Sequence, residues 1–256
     1  MRVRFAPSPT GNLHIGSVRT ALFNWVFAKR YGATFVLRVE DTDLERSKEE
    51  YEDNIMAGLN WLGLQADEGP EMGGDYGPYR QSERIERGIY GDYVQQLIKE
   101  KKAYYCFDTP EELEEEKRQS EAAGVPYVYS RKALTLSDEE VQSRLSENQA
   151  YTVRYKMPDK GRVEVPDLIR GNVSFDLSLI GDFIIQKSDG SPSYNFAVVV
   201  DDIDMKISHV IRGEDHLSNT PRQMVLFEAF GKPVPKFAHL PIILGKDRSK
   251  LSKRHG

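Results

Sequence analysis

Residues 3–39 decide the fold, and they have the sequence VRFAPSPTGNLHIGSVRTALFNWVFAKRYGATFVLRV. A short alternating strand at 3–6 precedes a loop at 7–12, because two prolines remove backbone donors and disfavour helix in their neighbours. From Ser17 onward, apolar residues recur at intervals of three and four, which is helical spacing. A second apolar strand follows at 34–39. This order of strand, helix and strand predicts a right-handed βαβ unit with two parallel strands.

The pattern changes after about residue 103, and the α/β pattern returns near 197–200 and 209–212. Between these points, capping-box sequences at Thr109 and Ser137 begin helices, and short strands follow them. Helices followed by short strands favour an α+β insertion within an α/β sheet. The predicted division is a catalytic domain at 1–100 and 191–256, interrupted by an insertion at 101–190.

Individual elements follow from the same spacing rules. One helix is expected over the apolar positions Ile85, Ile89, Tyr93 and Leu97. A strand at 151–156 is expected to have neighbours at 163–165, 173–175 and 183–185, and residues 240–244 are expected to form the last strand.

The composition excludes several classes of protein. The 256 residues are 39% hydrophobic and 10% aromatic, enough for a packed core. The formal charge is 35 − 40 = −5, so that any RNA binding would require local basic patches. The single cysteine, Cys106, excludes a disulfide framework and a cysteine-rich zinc site. Without a signal-like or membrane-spanning apolar run, we expect a cytoplasmic protein with no membrane partner.

The loop after the first strand has the features of a phosphate site. In an open parallel sheet, ligands bind beyond the carboxyl ends of the strands, and residues 8–16 leave the first strand there. The segment His14–Ser17 opens a helix, whose free N–H groups and dipole favour an anion. Gly16 permits a close approach to the backbone, and His14 adds a donor of tunable charge.

A second candidate lies near the C-terminus, where Lys246–Arg254 holds five cations in nine residues. Such a run is often only a solvated surface. On a loop that follows a strand, the run could instead clamp a polyphosphate, because flexible lysines can follow negative charge as it moves to leaving pyrophosphate.

Together these segments resemble a known family. Pro7–Gly16 and the later Lys250–Arg254 are similar to the paired ATP signatures of class I aminoacyl-tRNA synthetases. Further segments resemble glutamyl-tRNA synthetases of the bacterial type, namely Arg38–Asp43, Asp67–Pro70, Tyr79–Arg84 and Val210–His216. The resemblance covers essentially the whole chain. It implies a Rossmann-like class I catalytic fold whose insertion binds the tRNA acceptor stem.

The resemblance implies that L-glutamate is activated with ATP and Mg²⁺ and transferred to the terminal adenosine of tRNA-Glu by a monomer. The implied ATP-binding residues are His14, Gly16, Asp215, Lys250 and Lys253, of which His14, Lys250 and Lys253 are catalytic. The implied glutamate-binding residues are Arg4, Ser8, Glu40, Tyr194 and Arg212. Arg4 and Arg212 would bind the side-chain carboxylate, and Glu40 the α-ammonium group. No role carries over to Arg38, which better suits an ordinary ion pair or surface charge.

The chain departs from the family in two respects. Members often hold zinc with a pair of cysteines one residue apart, but here Cys106 is followed by Phe107 and Asp108. One thiolate cannot hold a structural zinc, so we expect no zinc and interpret Cys106 as a small core residue. Members also continue for about as many residues again. This chain therefore resembles a catalytic part that lacks the anticodon-binding domain.

Two alternatives stay open at this stage. A short paralogue that glutamylates the queuosine base of tRNA-Asp shares both pockets and naturally lacks the anticodon domain. A non-catalytic tRNA-binding paralogue would be expected to lose signature residues, but His14, Glu40, Arg212, Lys250 and Lys253 are all present.

Overall fold

The structure is a computed structural model that describes residues 1–43 and 45–244. Its strands are β1 (Arg2–Phe5), β2 (Thr34–Leu37), β3 (Ala103–Cys106), β4 (Thr152–Tyr155), β5 (Arg162–Asp167), β6 (Gly171–Asp176), β7 (Phe183–Gln186), β8 (His209–Gly213) and β9 (Lys236–Leu240). Its α-helices are α1 (Ile15–Tyr31), α2 (Glu49–Trp61), α3 (Gln81–Glu86), α4 (Ile89–Lys99), α5 (Pro110–Ala122), α6 (Asp138–Ser146), α7 (Tyr194–Asp204) and α8 (Thr220–Ala229).

A parallel sheet with the order β2-β1-β8-β9 forms the centre of the fold. Strands β1 and β2 flank helix α1, which confirms the predicted βαβ unit. Helix α1 ends at Gly32, whose left-handed φ of 59° suits glycine. Strand β2, which follows β1 in the sequence, pairs with one edge of β1, and the later strand β8 pairs with its other edge. The junction of β1 and β8 is therefore the topological switch point of the sheet, where ligands bind in open α/β folds.

The sequence between β2 and β8 contributes two smaller antiparallel sheets. One has the order β3-β4-β7, and the other is the hairpin β5-β6. Both predicted capping boxes are present, with Thr109 starting α5 and Ser137 starting α6. The observed fold is thus a mixed α/β fold with a parallel sheet and interposed α+β elements. The domain boundaries at 100/101 and 190/191 stay predictions.

Several expected elements differ in the structure. The single helix expected over residues 85–97 is two helices, because Gly88 adopts a left-handed φ of 70° between α3 and α4. The β5-β6 hairpin does not pair with β4, contrary to the expected arrangement of neighbours. The last described strand ends at Leu240, four residues earlier than expected, since Pro241 follows it.

The apolar run at 197–200 lies in helix α7. Every residue from Phe196 to Asp202 is buried there, so the run shows no amphipathic helical period. A short, continuous apolar run fits a buried strand and a buried helix equally well.

Candidate active site

A cavity of about 810 Å³ opens at the carboxyl edge of the parallel sheet. Its walls come from the residues after β1 and β2, the end of β8, the residues after β9 and the start of α1. All eight predicted site residues that the structure describes line it: Arg4, Ser8, His14, Gly16, Glu40, Tyr194, Arg212 and Asp215. The fold therefore brings together residues separated by up to about two hundred positions in the sequence.

The amino end of helix α1 forms one wall of the cavity. His14 is the N-cap residue, and its Nδ1 accepts a hydrogen bond from the backbone N–H of Gly16 at 3.2 Å. Its Nε2 lies 3.0 Å from the hydroxyl of Ser17. A Cβ atom on Gly16 would lie 3.0 Å from the His14 ring, closer than ordinary contact. Glycine here therefore allows His14 to fold back over the helix start, beside N–H groups that favour an anion.

Arg212 at the end of β8 is a buried cation with no carboxylate partner among the described residues. Its side chain is 5% exposed. Its Nε–H faces His239 Nε2 at 3.1 Å, and its Nη2–H donates to Thr220 Oγ1 at 2.9 Å. Its buried Nη1 has no hydrogen-bond partner within the part of the chain that the structure describes. Burial accordingly lowers the pKa of Arg212 to about 10. A buried guanidinium in this condition favours an anionic ligand.

Arg4 and Glu40 belong to a buried ionic network. The Nε–H of Arg4 donates to Asp202 at 3.1 Å. Arg38 donates to the same carboxylate at 2.6 Å and to Glu40 at 3.0 Å. It also lies 3.5 Å from Asp201. The network thus holds the two cavity-lining residues Arg4 and Glu40 through Arg38 and Asp202.

The electrostatics of this network follow from burial and pairing. Burial raises the pKa of Glu40, although the charges of Arg38 and Arg4 oppose it. Burial works in the same direction on Asp202, but Arg4 and Arg38 outweigh it and lower the pKa of that carboxyl. The pKa of Arg38 is raised despite its complete burial, because Asp202, Asp201 and Glu40 surround it with negative charge. Because these groups are buried away from water, each charge in the network is stabilised by its ion-pair partners and not by solvent.

The remaining predicted residues complete the walls. The Tyr194 hydroxyl lies 3.0 Å from His216 Nδ1, and burial raises the pKa of Tyr194 to about 12. Asp215 lies in the short 3-10 helix Glu214–Asn219 that follows β8. Ser8 lies in the loop that leaves β1. Lys250 and Lys253 lie outside the described residues.

Sequence reasoning missed the residues behind the cavity wall. Arg38 is indeed part of an ion pair, but it is fully buried rather than at the surface. Asp202 had one signal, since it lies two residues after an apolar run at 196–200 that predicts burial. His239 and Thr220 had none, because only the pairing of β8 with β9 and the position of α8 bring them beside Arg212.

Two further observations concern metals and membranes. Within residues 1–43 and 45–244, no group of three or more His, Cys, Asp and Glu side chains is arranged to hold a metal ion. Among the helices in these ranges, none is long and apolar enough to cross a membrane.

Comparison with known proteins identifies the class. The family model of class I tRNA synthetases (E and Q), catalytic domain, matches residues 1–256, and the chain belongs to this family. It is 58% identical over 255 residues to glutamate–tRNA ligase of Sulfurihydrogenibium sp. and 56% identical over 256 residues to that of Carboxydothermus hydrogenoformans. It covers 53% of each of these relatives, so the chain spans about half their length.

A solved structure agrees with these relatives. The glutamate tRNA ligase of Elizabethkingia meningosepticum, in complex with its amino acid, is 46% identical, with a TM-score of 0.92. The match covers 99% of this chain and 52% of that one. The resemblance to the catalytic part of bacterial glutamyl-tRNA synthetases is thereby confirmed, as is the class I catalytic fold.

Proposed function

We propose that the protein activates L-glutamate with ATP and transfers it to the 3′-terminal adenosine of tRNA-Glu. The observation that carries this proposal is Arg212, which lines a cavity that also contains a helix amino end and whose buried Nη1 has no hydrogen-bond partner among the described residues. The guanidinium of Arg212 suits a side-chain carboxylate, and the amino end of α1 suits a polyphosphate. The curated relatives are named glutamate–tRNA ligases, which agrees with glutamate and tRNA as substrates.

Arg212 and Arg4 bind the side-chain carboxylate of glutamate in this proposal. Glu40 accepts hydrogen bonds from the α-ammonium group, and Ser8 and Tyr194 line the pocket. Because Arg38 and Asp202 hold Glu40 and Arg4 from behind, these side chains are fixed before the ligand arrives. Such pre-organisation saves the entropy of ordering them on binding.

ATP lies along the amino end of α1, against His14 and Gly16, with its ribose towards Asp215. Mg²⁺ enters with the phosphates of ATP, and we assign it no protein ligand. Lys250 and Lys253 are proposed, on the resemblance alone, to neutralise the phosphates of the transition state. We propose no zinc in this chain.

The chemistry consists of two displacements. An α-carboxylate oxygen of glutamate attacks the α-phosphorus, the bond to the bridging oxygen breaks, and pyrophosphate leaves with that electron pair. The 2′-hydroxyl of the terminal adenosine then attacks the acyl carbon, loses its proton, and displaces AMP. The protein contributes mainly position and charge, since in-line geometry and fixed cations lower both barriers.

The pocket also accounts for substrate choice. Glutamine would leave the buried guanidinium of Arg212 facing a neutral amide, so its rejection can reach roughly 10⁴-fold. Aspartate is shorter by one methylene, which is worth only about 1–3 kcal/mol. We therefore expect aspartate to be the stronger competitor.

The test is to measure by calorimetry how L-glutamate, L-glutamine and ATP bind to the unaltered chain and to Arg212→Met. We expect the variant to lose glutamate affinity by about 100-fold or more, since it lacks a charged hydrogen-bond partner. Its ATP affinity should stay within about twofold of the unaltered chain. Arg162→Met, on the exposed face of the β5-β6 hairpin, is the control. Glutamate affinity that survives in Arg212→Met would remove this residue from the pocket.

The remaining partners are also proposals. The insertion predicted at 101–190 is proposed to bind the acceptor stem of the tRNA. A cytoplasmic monomer is the expected state of the protein, and sedimentation of the purified chain tests the monomer directly.

A further inference from the structure

The turn between β5 and β6 lies against the strands that build the cavity. Asp167, the last residue of β5 before the turn, is buried, and its carboxylate accepts a hydrogen bond from the backbone N–H of His239 on β9 at 3.1 Å. The next residue, Leu168, donates its N–H to the carbonyl of Phe237 at 2.9 Å. Arg170 forms an ion pair with Glu214, which in turn accepts a hydrogen bond from Ile242 N at 2.6 Å. The turn is therefore attached to the cavity wall at several points.

The carboxylate of Asp167 is held in one orientation. Its Oδ1 accepts hydrogen bonds from the backbone N–H groups of Ile169 at 2.9 Å and Arg170 at 2.8 Å. Burial alone would raise its pKa, but these bonds and the ring of His239 outweigh burial and lower the pKa of Asp167. The other oxygen, Oδ2, lies 2.6 Å from His239 Nδ1. Asp167 thus presents a fixed acceptor to the histidine ring.

His239 connects this acceptor to Arg212. On the opposite side of the ring, Nε2 faces the Nε–H of Arg212 at 3.1 Å. A guanidinium N–H can only donate, so Nε2 must carry a lone pair. The proton of the neutral ring must then be on Nδ1, directed at Asp167. Thr220 Oγ1 lies 3.2 Å from the same Nε2 and accepts from Arg212 Nη2, which fixes the plane of the guanidinium.

We propose that Asp167 and His239 are positioning residues that set the orientation of Arg212 for the side-chain carboxylate of glutamate. Through them the β5-β6 hairpin, which lies outside the parallel sheet, becomes part of the amino-acid pocket. Asp167 selects the Nδ1–H tautomer of His239. The free Nε2 of that ring accepts the Nε–H of Arg212 and so orients the guanidinium towards the ligand. This inference rests on the proposed binding of glutamate at Arg212.

The decisive variant is Asp167→Asn, which preserves size and keeps Oδ1 as the acceptor for the backbone N–H groups of Ile169 and Arg170. The backbone N–H of His239 loses its acceptor Oδ2 and keeps only Oδ1, at 3.3 Å. Its amide nitrogen would then face His239 Nδ1 as a donor. The ring proton must move to Nε2, where it opposes the Nε–H of Arg212. A tautomer change of this kind disables a histidine without altering the fold.

Calorimetric titration of glutamate and ATP into the unaltered chain and Asp167→Asn measures the effect. We expect glutamate affinity to fall about 10- to 100-fold, as is typical when an outer partner of a binding residue is lost. ATP affinity should change less than about twofold, which a general loss of structure would not allow. The control Glu164→Gln removes a charge from an exposed position on the same hairpin and should change neither affinity.

The tautomer of His239 provides a second readout in the unaltered chain. Nitrogen-15 NMR of the ring should show a protonated Nδ1 and a lone pair on Nε2 at pH 7, and the reverse in Asp167→Asn. An Nε2–H tautomer or a charged ring in the unaltered chain would overturn the proposal. So would equal glutamate affinity in the chain and in Asp167→Asn.

The two proposals fail differently. If the unaltered chain does not bind glutamate, the proposed function is contradicted and this inference with it. If the unaltered chain binds glutamate and Asp167→Asn binds it equally well, only the positioning role is lost.

Discussion

At the scale of single residues, two buried arginines beside the cavity differ in what surrounds them. Arg38 is fully buried, but three carboxylates lie close to it. Arg212 is nearly as buried and has none within ion-pair distance among the described residues. Breaking a buried pair leaves a charge without compensation, whereas removing an unpaired charge does not. The same substitution should therefore destabilise the protein much more at Arg38 than at Arg212.

We expect Arg38→Met to lower the free energy of unfolding by about 3–5 kcal/mol, since Asp202, Asp201 and Glu40 lose a shared cation. Arg212→Met should change it by less than about 1 kcal/mol, because lost hydrogen bonds are offset by the removal of a buried charge. Urea denaturation of both variants measures the contrast. Equal destabilisation would show that Arg212 has a structural role.

These residues also show the reach of sequence reasoning at this scale. The roles proposed for Arg4, Glu40 and Arg212 rest on resemblance to a family, and the structure places all three at one cavity. The roles of Asp202 and His239 depend on which strands and helices become neighbours. Local spacing contains no information on contacts between residues 4 and 202 or 167 and 239, so these could not be predicted.

At the scale of elements, helix α1 is specified by its ends. His14 caps its start, and Gly32 ends it with a φ of 59°. The apolar positions used to predict it are less informative about the core, because Leu22 and Val26 are more than 40% exposed. The end signals succeed because a capping side chain and a left-handed glycine act within one turn of the helix end. Burial depends on what the rest of the fold places against the helix.

A pair of glycines tests this reasoning about backbone conformation. A Cβ atom would meet nothing within 4 Å at either Gly32 or Gly91, so only conformation should matter. Gly32→Ala should cost about 1 kcal/mol, because an L-residue is strained at positive φ. Gly91→Ala, in the interior of α4, should stabilise by up to about 1 kcal/mol. Thermal unfolding of the two variants gives the signs, and a shift in the same direction for both would be inconsistent with this account.

The failures at this scale have physical causes as well. The expected helix over 85–97 is broken at Gly88, where glycine adopts a left-handed conformation that apolar spacing does not reveal. For the run at 197–200 the sequence predicts only a return of the α/β pattern, because its residues are all buried in α7 and show no periodicity that distinguishes helix from strand.

At the scale of the whole molecule, the parallel sheet and the β5-β6 hairpin meet at His239. Burial and the charge of Arg212 lower the pKa of His239 to about 4, against the opposing effect of Asp167. Its ordinary pKa is about 6.5, so between these values the unfolded chain binds a proton that the folded chain does not. The stability of the whole molecule must then fall as the pH decreases through this window.

We expect His239 to account for up to about 3 kcal/mol of lost stability as the pH falls from about 6.5 to 4. His239→Gln cannot gain this proton, so its stability should depend less on pH across the same range. Urea denaturation of the chain and the variant at pH 7, 5.5 and 4.5 makes the comparison. Parallel curves for the two proteins would mean that His239 is protonated in the folded state.

The parallel sheet and the interposed α+β elements could be predicted from the sequence, because they depend on local signals. These signals are the apolar spacing within an element and the prolines and glycines that mark its ends. The attachment of the hairpin to the sheet could not, since it joins Asp167 to a histidine 72 residues away.

The central claim is that one cavity binds glutamate and ATP for reaction with each other. Glutamate-dependent exchange of pyrophosphate into ATP, in the presence of tRNA-Glu and with Lys253→Ala as the blank, tests it most directly. We predict exchange with glutamate that requires the tRNA, is roughly 10⁴-fold weaker with glutamine, and is lost in Arg212→Met. Exchange that glutamine supports equally well, or none with glutamate and tRNA-Glu, would contradict the claim.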